Sequence, residues 1–173
     1  MIELEITSNI KLRPSVPEDD PFLAAVYGST RQQELAMVPW TDEQKDAFIR
    51  FQLTAQLTYY RAEFPNAEYL IILHDGEPVG RLYLDLRESE IRIMDITLLP
   101  EHRGKGISSA IIHRLKEKAF ALGKKLSINL DKLSQSQPIF ERFGFKPTED
   151  VGFHVLYVWQ AELPESKNEE AGE

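Results

Sequence analysis

The sequence has no cysteine. This excludes disulfide bonds, thiolate metal ligands and any group transfer through a cysteine thioester on the protein. No apolar run reaches the roughly 18 residues that a membrane helix needs, and the acidic first residues lack the pattern of a signal peptide. We therefore expect a cytoplasmic protein that does not bind membranes and transfers any group directly or through another nucleophile.

Histidine is also scarce, and its four positions show no spacing typical of a metal site. We predict no bound metal. The histidines are His74, His102, His113 and His154.

The formal net charge is −8, but its distribution is uneven. Residues 102–132 contain eight Lys/Arg and two acidic residues, so the rest of the chain is strongly acidic. General nucleic-acid binding requires a broadly basic face, which this chain lacks. A local basic segment instead fits a site for a small polyanion, although part of it also fits a solvated helix face.

The length of 173 residues suits one domain, predicted over residues 1–161. Residues 162–173 contain five Glu, one Lys and no aromatic residue, and are predicted to form a disordered acidic tail. Hydrophobic periodicity and turn residues predict the order β-α-α-β-β-β-α-β-α-β. A crossover helix between strands implies a parallel pair, and hairpins imply antiparallel neighbours. We expect a mixed α/β sheet with helices on both faces.

Local signals place several ends of elements. Ser15–Glu18 and Thr41–Gln44 resemble capping boxes at helix starts. Asp75-Gly76 predicts a hairpin turn, and Gly123 a helix end. The second capping box opens a helix with two apolar rows, which predicts burial on a wide face. The rows are Phe48, Phe51, Ala55 and Leu53, Leu57, Tyr60, Phe64.

The sharpest motif runs from Pro100 to Ser109, between a predicted strand and an amphipathic helix. The first turn of a helix has free amide groups that bind anions. Gly104 and Gly106 let phosphate oxygens approach the backbone. Arg103 and Lys105 add positive charge, and Ser108 and Ser109 offer hydroxyl donors. The motif therefore predicts a phosphate site.

Two familiar phosphate loops do not fit. A P-loop needs Ser or Thr after its lysine, and Gly106 follows Lys105 here. A Rossmann fingerprint needs a third glycine, where this chain has Ser109, and an acid about 20 residues on, where it has Lys124 and Lys125.

The motif does resemble the pyrophosphate loop of the GNAT superfamily of N-acetyltransferases. The core Arg103-Gly104-Lys105-Gly106-Ile107 is intact, while Glu101, His102 and Ser108 depart from the usual residues. Residues 138–146 resemble the family's closing helix and Gly-Phe turn. The resemblance covers roughly residues 10–160. It implies a GNAT-like, mostly antiparallel sheet with a splayed parallel strand pair, and acetyl-coenzyme A as co-substrate.

The resemblance also implies a mechanism. The pantetheine arm would lie between Glu90–Leu98 and Leu126–Leu130 and pair with the backbone of Ile96 and Leu98. The Leu98 N–H would stabilise the oxyanion of the intermediate. A carboxylate near the splay would take the proton of the attacking amine. Glu90, Asp95 and a water chain without a dedicated base are the alternatives.

One departure bears on catalysis. In the family a tyrosine usually protonates the leaving thiolate. Phe140 stands at its position in this chain, and a phenyl ring has no proton to donate. Ser134, Ser136 or water would have to replace it. Ser134 stands at the family's asparagine, and we expect Phe140 to pack against the pantetheine arm. An acyl-coenzyme A-binding regulatory module with weak or no catalysis is therefore the alternative to an active enzyme.

The acceptor would be a primary amine of a small molecule or protein, and the acidic remainder of the chain favours a cationic one. A homodimer is a further expectation, since relatives often dimerise. Candidates for the acceptor site come from the N-terminal helices, with ion pairing or core packing as their other interpretation. They are Arg31, Glu34, Trp40, Gln52, Gln56, Tyr59 and Tyr60.

Overall fold

The computed structural model describes residues 2–162. A mixed seven-stranded sheet has the order β1-β2-β3-β4-β5-β7-β6. Neighbouring strands are antiparallel except β4 and β5, which are parallel. The predicted mixed sheet with one parallel pair is thus confirmed. The predicted tail, apart from Glu162, lies outside the described residues.

The strands are β1 (Ile10–Pro14), β2 (Ala67–His74), β3 (Glu77–Leu86), β4 (Glu90–Leu98), β5 (Lys125–Asp131), β6 (Lys146–Asp150) and β7 (His154–Trp159). The helices are α1 (Asp20–Ser29), α2 (Gln32–Ala36), α3 (Asp42–Glu63), α4 (Ile107–Ala121) and α5 (Gln137–Arg142). The short α2 and the strand β6 were not predicted from the sequence.

The two faces of the sheet are covered by different helices. Because strand side chains alternate, Leu70 and Ile72 of β2 join the larger core, which includes Ile111 and Leu115 of α4. Ile71, between them, packs with Leu23 of α1 and others in a second core. The helices α1 and α3 therefore lie on the face opposite α4.

Several local predictions are confirmed. Asp75 and Gly76 both have positive φ, at 50° and 84°, in the two-residue turn between β2 and β3. The Thr41 hydroxyl accepts a hydrogen bond from the Gln44 N–H, and the Gln44 side chain accepts one from the Thr41 N–H. Gly123 follows α4 with φ 64°.

Two local predictions are wrong. The Ser15 capping box is replaced by Asp19, whose carboxylate accepts a hydrogen bond from the Val16 N–H, one residue later than predicted. The helix α3 is not buried on a wide face, since Leu53 is its only buried residue. Phe51, in the other apolar row, is 73% exposed, because the contacts of α3 with α1 and the sheet come from Gln52, Leu53 and Gln56 on the other side of the helix.

The parallel pair β4–β5 opens partway along its length. Cα pairing runs from Glu90↔Lys125 to Ile93↔Ile128 and then stops, although β4 continues to Leu98 and β5 to Asp131. The register between β3 and β4 shifts at the same point, so that Met94 has no partner. Such a bulge bends its strand, which moves the end of β4 away from β5.

Candidate active site

A groove of about 860 Å³ lies where β4 and β5 separate, and extends to the start of α4. It brings together most of the residues predicted for the cofactor. These are Ile96, Leu98, Arg103, Gly104, Gly106, Ile107, Ser108 and Ser109. Lys105 lies between the two glycines but does not line the groove.

The start of α4 has the geometry that a phosphate site needs. Gly104 and Gly106 have φ values of 75° and 79°, which disfavour any residue with a Cβ. Gly106 is the N-cap residue, and no side chain caps the helix. The first intrahelical bond runs from the Ala110 N–H to the Gly106 carbonyl. The amides of the first turn therefore face the groove without a side-chain acceptor.

The basic residues divide into two groups. Arg103 lines the groove, and its Nε also donates to the Leu98 carbonyl at 3.2 Å, so it ties the loop to the end of β4. Lys116 and Lys124 instead bind the backbone carbonyls of Phe143 and Arg87. These lysines outside the loop have structural contacts rather than a place in the groove.

The backbone of β4 points some of its N–H groups into the gap between β4 and β5. The Leu99 N–H donates to the Val79 carbonyl on β3. Alternate residues of a strand point their amides to opposite neighbours, so the amides of Leu98 and Ile96 point away from β3. This orientation lets both pair with an extended chain lying in the groove.

Phe140 is buried at 4% exposure, with its ring 5.2 Å edge-on from Phe145, and it does not line the groove. Its neighbour Ile139 does, together with Gln135 and Ser136. This apolar contact was not predicted from the sequence, although residues 138–146, which resemble the family's closing helix and Gly-Phe turn, contain Ile139.

A second cavity of about 580 Å³ lies beside the groove, and both are lined by Thr30 and Glu34. We call it the acceptor-side cavity. Its wall includes Asp95 and Ser134 from the predicted site. Tyr27, Gln56 and Arg81 line it as well.

Arg81 was not predicted and is the most unusual residue of the site, at 1% exposure. Its Nε and Nη2 donate to the two carboxylate oxygens of Asp95 at 3.2 and 3.0 Å. Gln56 and Tyr83 accept its other hydrogen bonds, and the Thr97 hydroxyl donates to Asp95 at 2.6 Å. This network fixes the Asp95 carboxylate beside the bulge.

Glu90 lies at the closed end of the β4–β5 pair, opposite Lys125, and lines neither cavity. Burial alone would raise the pKa of its carboxyl. The hydrogen bond from Ser127 and the charges of Arg92 and Arg87 outweigh burial, and the pKa is lowered. The contacts are short, 2.6 Å from Ser127 and 2.7 Å from Arg87. Glu90 therefore stabilises the strand pair.

We expect Glu90→Gln to lower the free energy of unfolding at pH 7 by about 1–3 kcal/mol, the cost of losing a charged hydrogen-bond partner. Because the folded pKa is lowered, the stabilisation is present above the unfolded pKa and is lost as pH falls through the folded value. Urea unfolding at neutral and acidic pH measures both effects. Glu117→Gln, in the exposed pair with Arg114, is the control and should cost much less.

The same variant tests Glu90 as a base. A stable Glu90→Gln protein that loses acetyl transfer would assign the base to Glu90 and contradict its structural role.

The remaining substrate-side candidates are spread over the N-terminal helices. Arg31 and Glu34 form an i,i+3 ion pair of 3.1 Å at the edge of the acceptor-side cavity. Gln52 accepts a hydrogen bond from Tyr27. Trp40 packs against Phe48, Tyr60 against Tyr83, and Tyr59 is 58% exposed. Of these candidates, Arg31, Glu34 and Gln56 line the cavity.

Within residues 2–162 there is no cluster of three or more residues suited to hold a metal ion. Over the same part of the chain, no helix combines the length and apolar character needed to cross a membrane.

The splayed parallel pair and the uncapped, glycine-flanked helix start define a class of acyltransferase fold. The model of the acetyltransferase (GNAT) family matches residues 30–145. The chain belongs to this family and is an acetyltransferase. No curated protein sequence matches it.

Solved structures share the fold at low identity. The PaiA N-acetyltransferase of Thermoplasma acidophilum, in complex with coenzyme A, has a TM-score of 0.64 and 15% identity, over 88% of this chain and 99% of that chain. An acetyltransferase of Thermus thermophilus has a TM-score of 0.61 and 20% identity, over 87% and 96%. A Salmonella typhimurium acetyltransferase that modifies the N-terminal serine of ribosomal protein L7/L12 has a TM-score of 0.60 and 17% identity, over 92% and 99%.

Proposed function

We propose that this chain transfers an acetyl group from acetyl-coenzyme A directly to a primary amine. The observation that carries the proposal is the continuous groove from the uncapped start of α4 to the point where β4 and β5 separate. One end of this groove suits a pyrophosphate, and the other offers strand amides to an extended chain.

The cofactor would be held mainly by backbone groups. The amides of Ile107, Ser108 and Ser109 would bind the pyrophosphate, with Arg103 and Lys105 adding charge. The pantetheine arm would pair with Ile96 and Leu98 in the manner of an added strand, and Ile139 would contact its apolar part. The Leu98 N–H would then stand at the thioester oxygen. A donor at such a position typically contributes about 3–4 kcal/mol to the transition state.

The acceptor would enter from the acceptor-side cavity, which meets the groove at Thr30 and Glu34. The cavity is lined by the carboxylates of Glu34, Asp95 and Asp131 and by the guanidinium groups of Arg31 and Arg81. Because Arg31 pairs with Glu34 and Arg81 with Asp95, Asp131 is the carboxylate that favours a cationic amine. We assign Asp95 to hold the amine and take its proton, directly or through water, because Asp95 and not Glu90 lines this cavity.

The reaction balances without a further reactant. The neutral amine nitrogen attacks the thioester carbon, the tetrahedral oxyanion collapses, and the C–S bond breaks. The thiolate then takes a proton. Ser136 lines the groove, and its hydroxyl, or water, would supply this proton in place of the phenol that Phe140 lacks.

The test is release of free coenzyme A thiol from acetyl-coenzyme A in the presence of an amine panel. The panel should contain a peptide with a free N-terminal serine, a peptide with an internal lysine, a polyamine and an aminosugar. We expect amine-dependent thiol release with at least one class, and a mass increase of one acetyl group on the product. Absence of thiol release with every amine, in protein shown to bind coenzyme A, would refute turnover.

Phe140 favours a second candidate, a module that binds acyl-coenzyme A without turnover. Its ring is buried and offers no proton for the thiolate. This candidate predicts thermal stabilisation by the ligand, worth about 2.7 kcal/mol at 100 times the Kd, with no thiol release. The same two measurements therefore separate the candidates.

A further inference from the structure

The outer face of α3 is exposed and uncharged. A helix turns by about 100° per residue, and at this spacing an arc of about 200° on α3 contains none of the charged residues of the helix. Leu53, on the opposite side, packs against α1 and β2, so the uncharged arc points away from the sheet. A surface helix ordinarily shows the reverse pattern, with its charged residues toward solvent.

The middle of this arc carries a regular row of side chains, which we call the α3 stripe. It consists of Gln44, Phe48, Phe51, Ala55, Thr58 and Ala62. The spacings alternate between four and three residues, the pattern of a helix that packs lengthwise on another helix. All of these residues are exposed except Phe48, which is half-buried beside Trp40. The stripe lies outside the described lining of the groove and of the acceptor-side cavity.

The α3 stripe is complementary to itself. Its large residues all precede Leu53, and its small residues all follow it. The spacing is the same in both directions from Leu53, so a two-fold axis at this position places the stripe of a second, antiparallel copy on the stripe of the first. Every layer of the contact then joins one large residue and one small residue. The layers are Phe51 with Ala55, Phe48 with Thr58, and Gln44 with Ala62.

The charges beside the stripe fit the same arrangement. In a two-fold antiparallel pair, each edge of one helix meets the same edge of its copy. One edge carries Glu43 near the start of α3 and Arg61 near its end, and the other carries Lys45 and Glu63. Opposite charges therefore meet along both edges, which fixes the register. A parallel pair would instead place the large residues against one another and leave the small residues without contact.

We propose that this chain forms a two-fold symmetric, antiparallel dimer through the α3 stripe. The second copy would cover Phe51 and the rest of the row that a single chain leaves exposed. With 22 residues, α3 is about 33 Å long and about 10 Å wide. The stripe thus offers roughly 330 Å² on each copy, less than the about 800 Å² of a stable interface. We therefore expect a reversible dimer with a Kd in the micromolar range. The dimer does not depend on acetyl transfer.

Sedimentation velocity of the full chain, over about 1 to about 300 μM, should show a change from monomer to dimer. Ala55→Glu places a carboxylate against Phe51 of the partner subunit, so the dimer Kd should rise about 30-fold or more. Because Ala55 is exposed, this variant should keep its affinity for coenzyme A, which shows that it folds. Ala121→Glu, at an exposed alanine of α4, is the matched control and should dimerise as the native chain does. A native chain that stays monomeric throughout, or an Ala55→Glu protein that dimerises normally, would overturn the proposal.

The register of the dimer can be tested because the chain has no cysteine. Phe51→Cys and Ala55→Cys proteins are prepared separately and then mixed under mild oxidation. The antiparallel register brings position 51 of one copy to position 55 of the other. The mixture should therefore form a mixed disulfide at least about tenfold faster than either protein links to itself, as mass spectrometry of the products can show. Equal or faster linkage in Ala55→Cys alone would contradict the antiparallel pair.

Discussion

Gly106→Glu should lower the affinity of the protein for coenzyme A by about 100-fold or more. The pyrophosphate would be held by charge-assisted bonds from the first amides of α4, and each such bond is worth about 1.5–3 kcal/mol. A carboxylate at the N-cap position occupies the approach to these amides and repels the phosphates. Isothermal titration with coenzyme A gives the Kd directly, without any need for a known acceptor.

The backbone cost must be separated from the effect on the site. Gly106 has φ 79°, and a residue with a Cβ pays about 1–2 kcal/mol in this conformation. Gly123, at the other end of α4, has φ 64°, and a Cβ at either position meets nothing within 4 Å. Gly123→Glu should therefore lose similar stability and keep its affinity for coenzyme A. Equal loss of affinity in both variants would show that the effect is global.

Gly106→Ala completes the series, because it adds the backbone strain without the charge. We expect its affinity to lie between those of the native protein and Gly106→Glu. If Gly106→Glu binds coenzyme A as the native protein does, the start of α4 is not the pyrophosphate site.

The phosphate loop was accessible from sequence because its signal is local, whereas the splay of β4 and β5 was implied only by the family resemblance. Glycines at fixed spacing before an amphipathic helix have few structural interpretations. The hairpin turn at Asp75-Gly76 likewise needs positive φ at two neighbouring residues. The loop and the turn each depend on a few consecutive residues, so they can be predicted without knowledge of the tertiary contacts.

The burial of Arg81 and its contacts could not be predicted from the sequence in this way. An arginine within an apolar strand usually indicates a surface position, because charged side chains are rarely buried without a partner. Its partners Gln56 and Asp95 come from α3 and β4, so the cluster exists only after the helix has packed on the sheet. The acceptor-side cavity likewise combines residues from α1, α3, β3 and the end of β5.

The helix α3 shows a different limit. Both of its apolar rows predicted burial in the sequence, and only packing decides that Leu53 is buried while Phe51 is exposed. Glu90 and Asp95 were equivalent candidates for the same reason. The bulge at Met94 and the end of the β4–β5 pairing place only Asp95 beside a cavity.

Asp95→Asn should cost about 3–5 kcal/mol of stability, because it leaves the guanidinium of Arg81 buried and without a counter-charge. Arg81→Met should cost less, about 2–3 kcal/mol by the penalty for an unsatisfied polar group, since the Asp95 side chain is 19% exposed and water reaches it. In the double variant neither charge remains. Its cost should therefore fall below the sum of the single costs by at least about 1.5 kcal/mol, the non-additivity expected of contacting residues.

Activity separates the structural role of this pair from its role at the site. Arg81→Met/Asp95→Asn should regain much of the stability lost in Asp95→Asn, yet its kcat/KM for the amine should stay low, because the group proposed to hold the amine and take its proton is absent. Its affinity for coenzyme A should be unchanged, since neither residue lines the groove. Additive stability costs would show that the two charges are not coupled. A double variant with native kcat/KM would show that the amine loses its proton to water without Asp95.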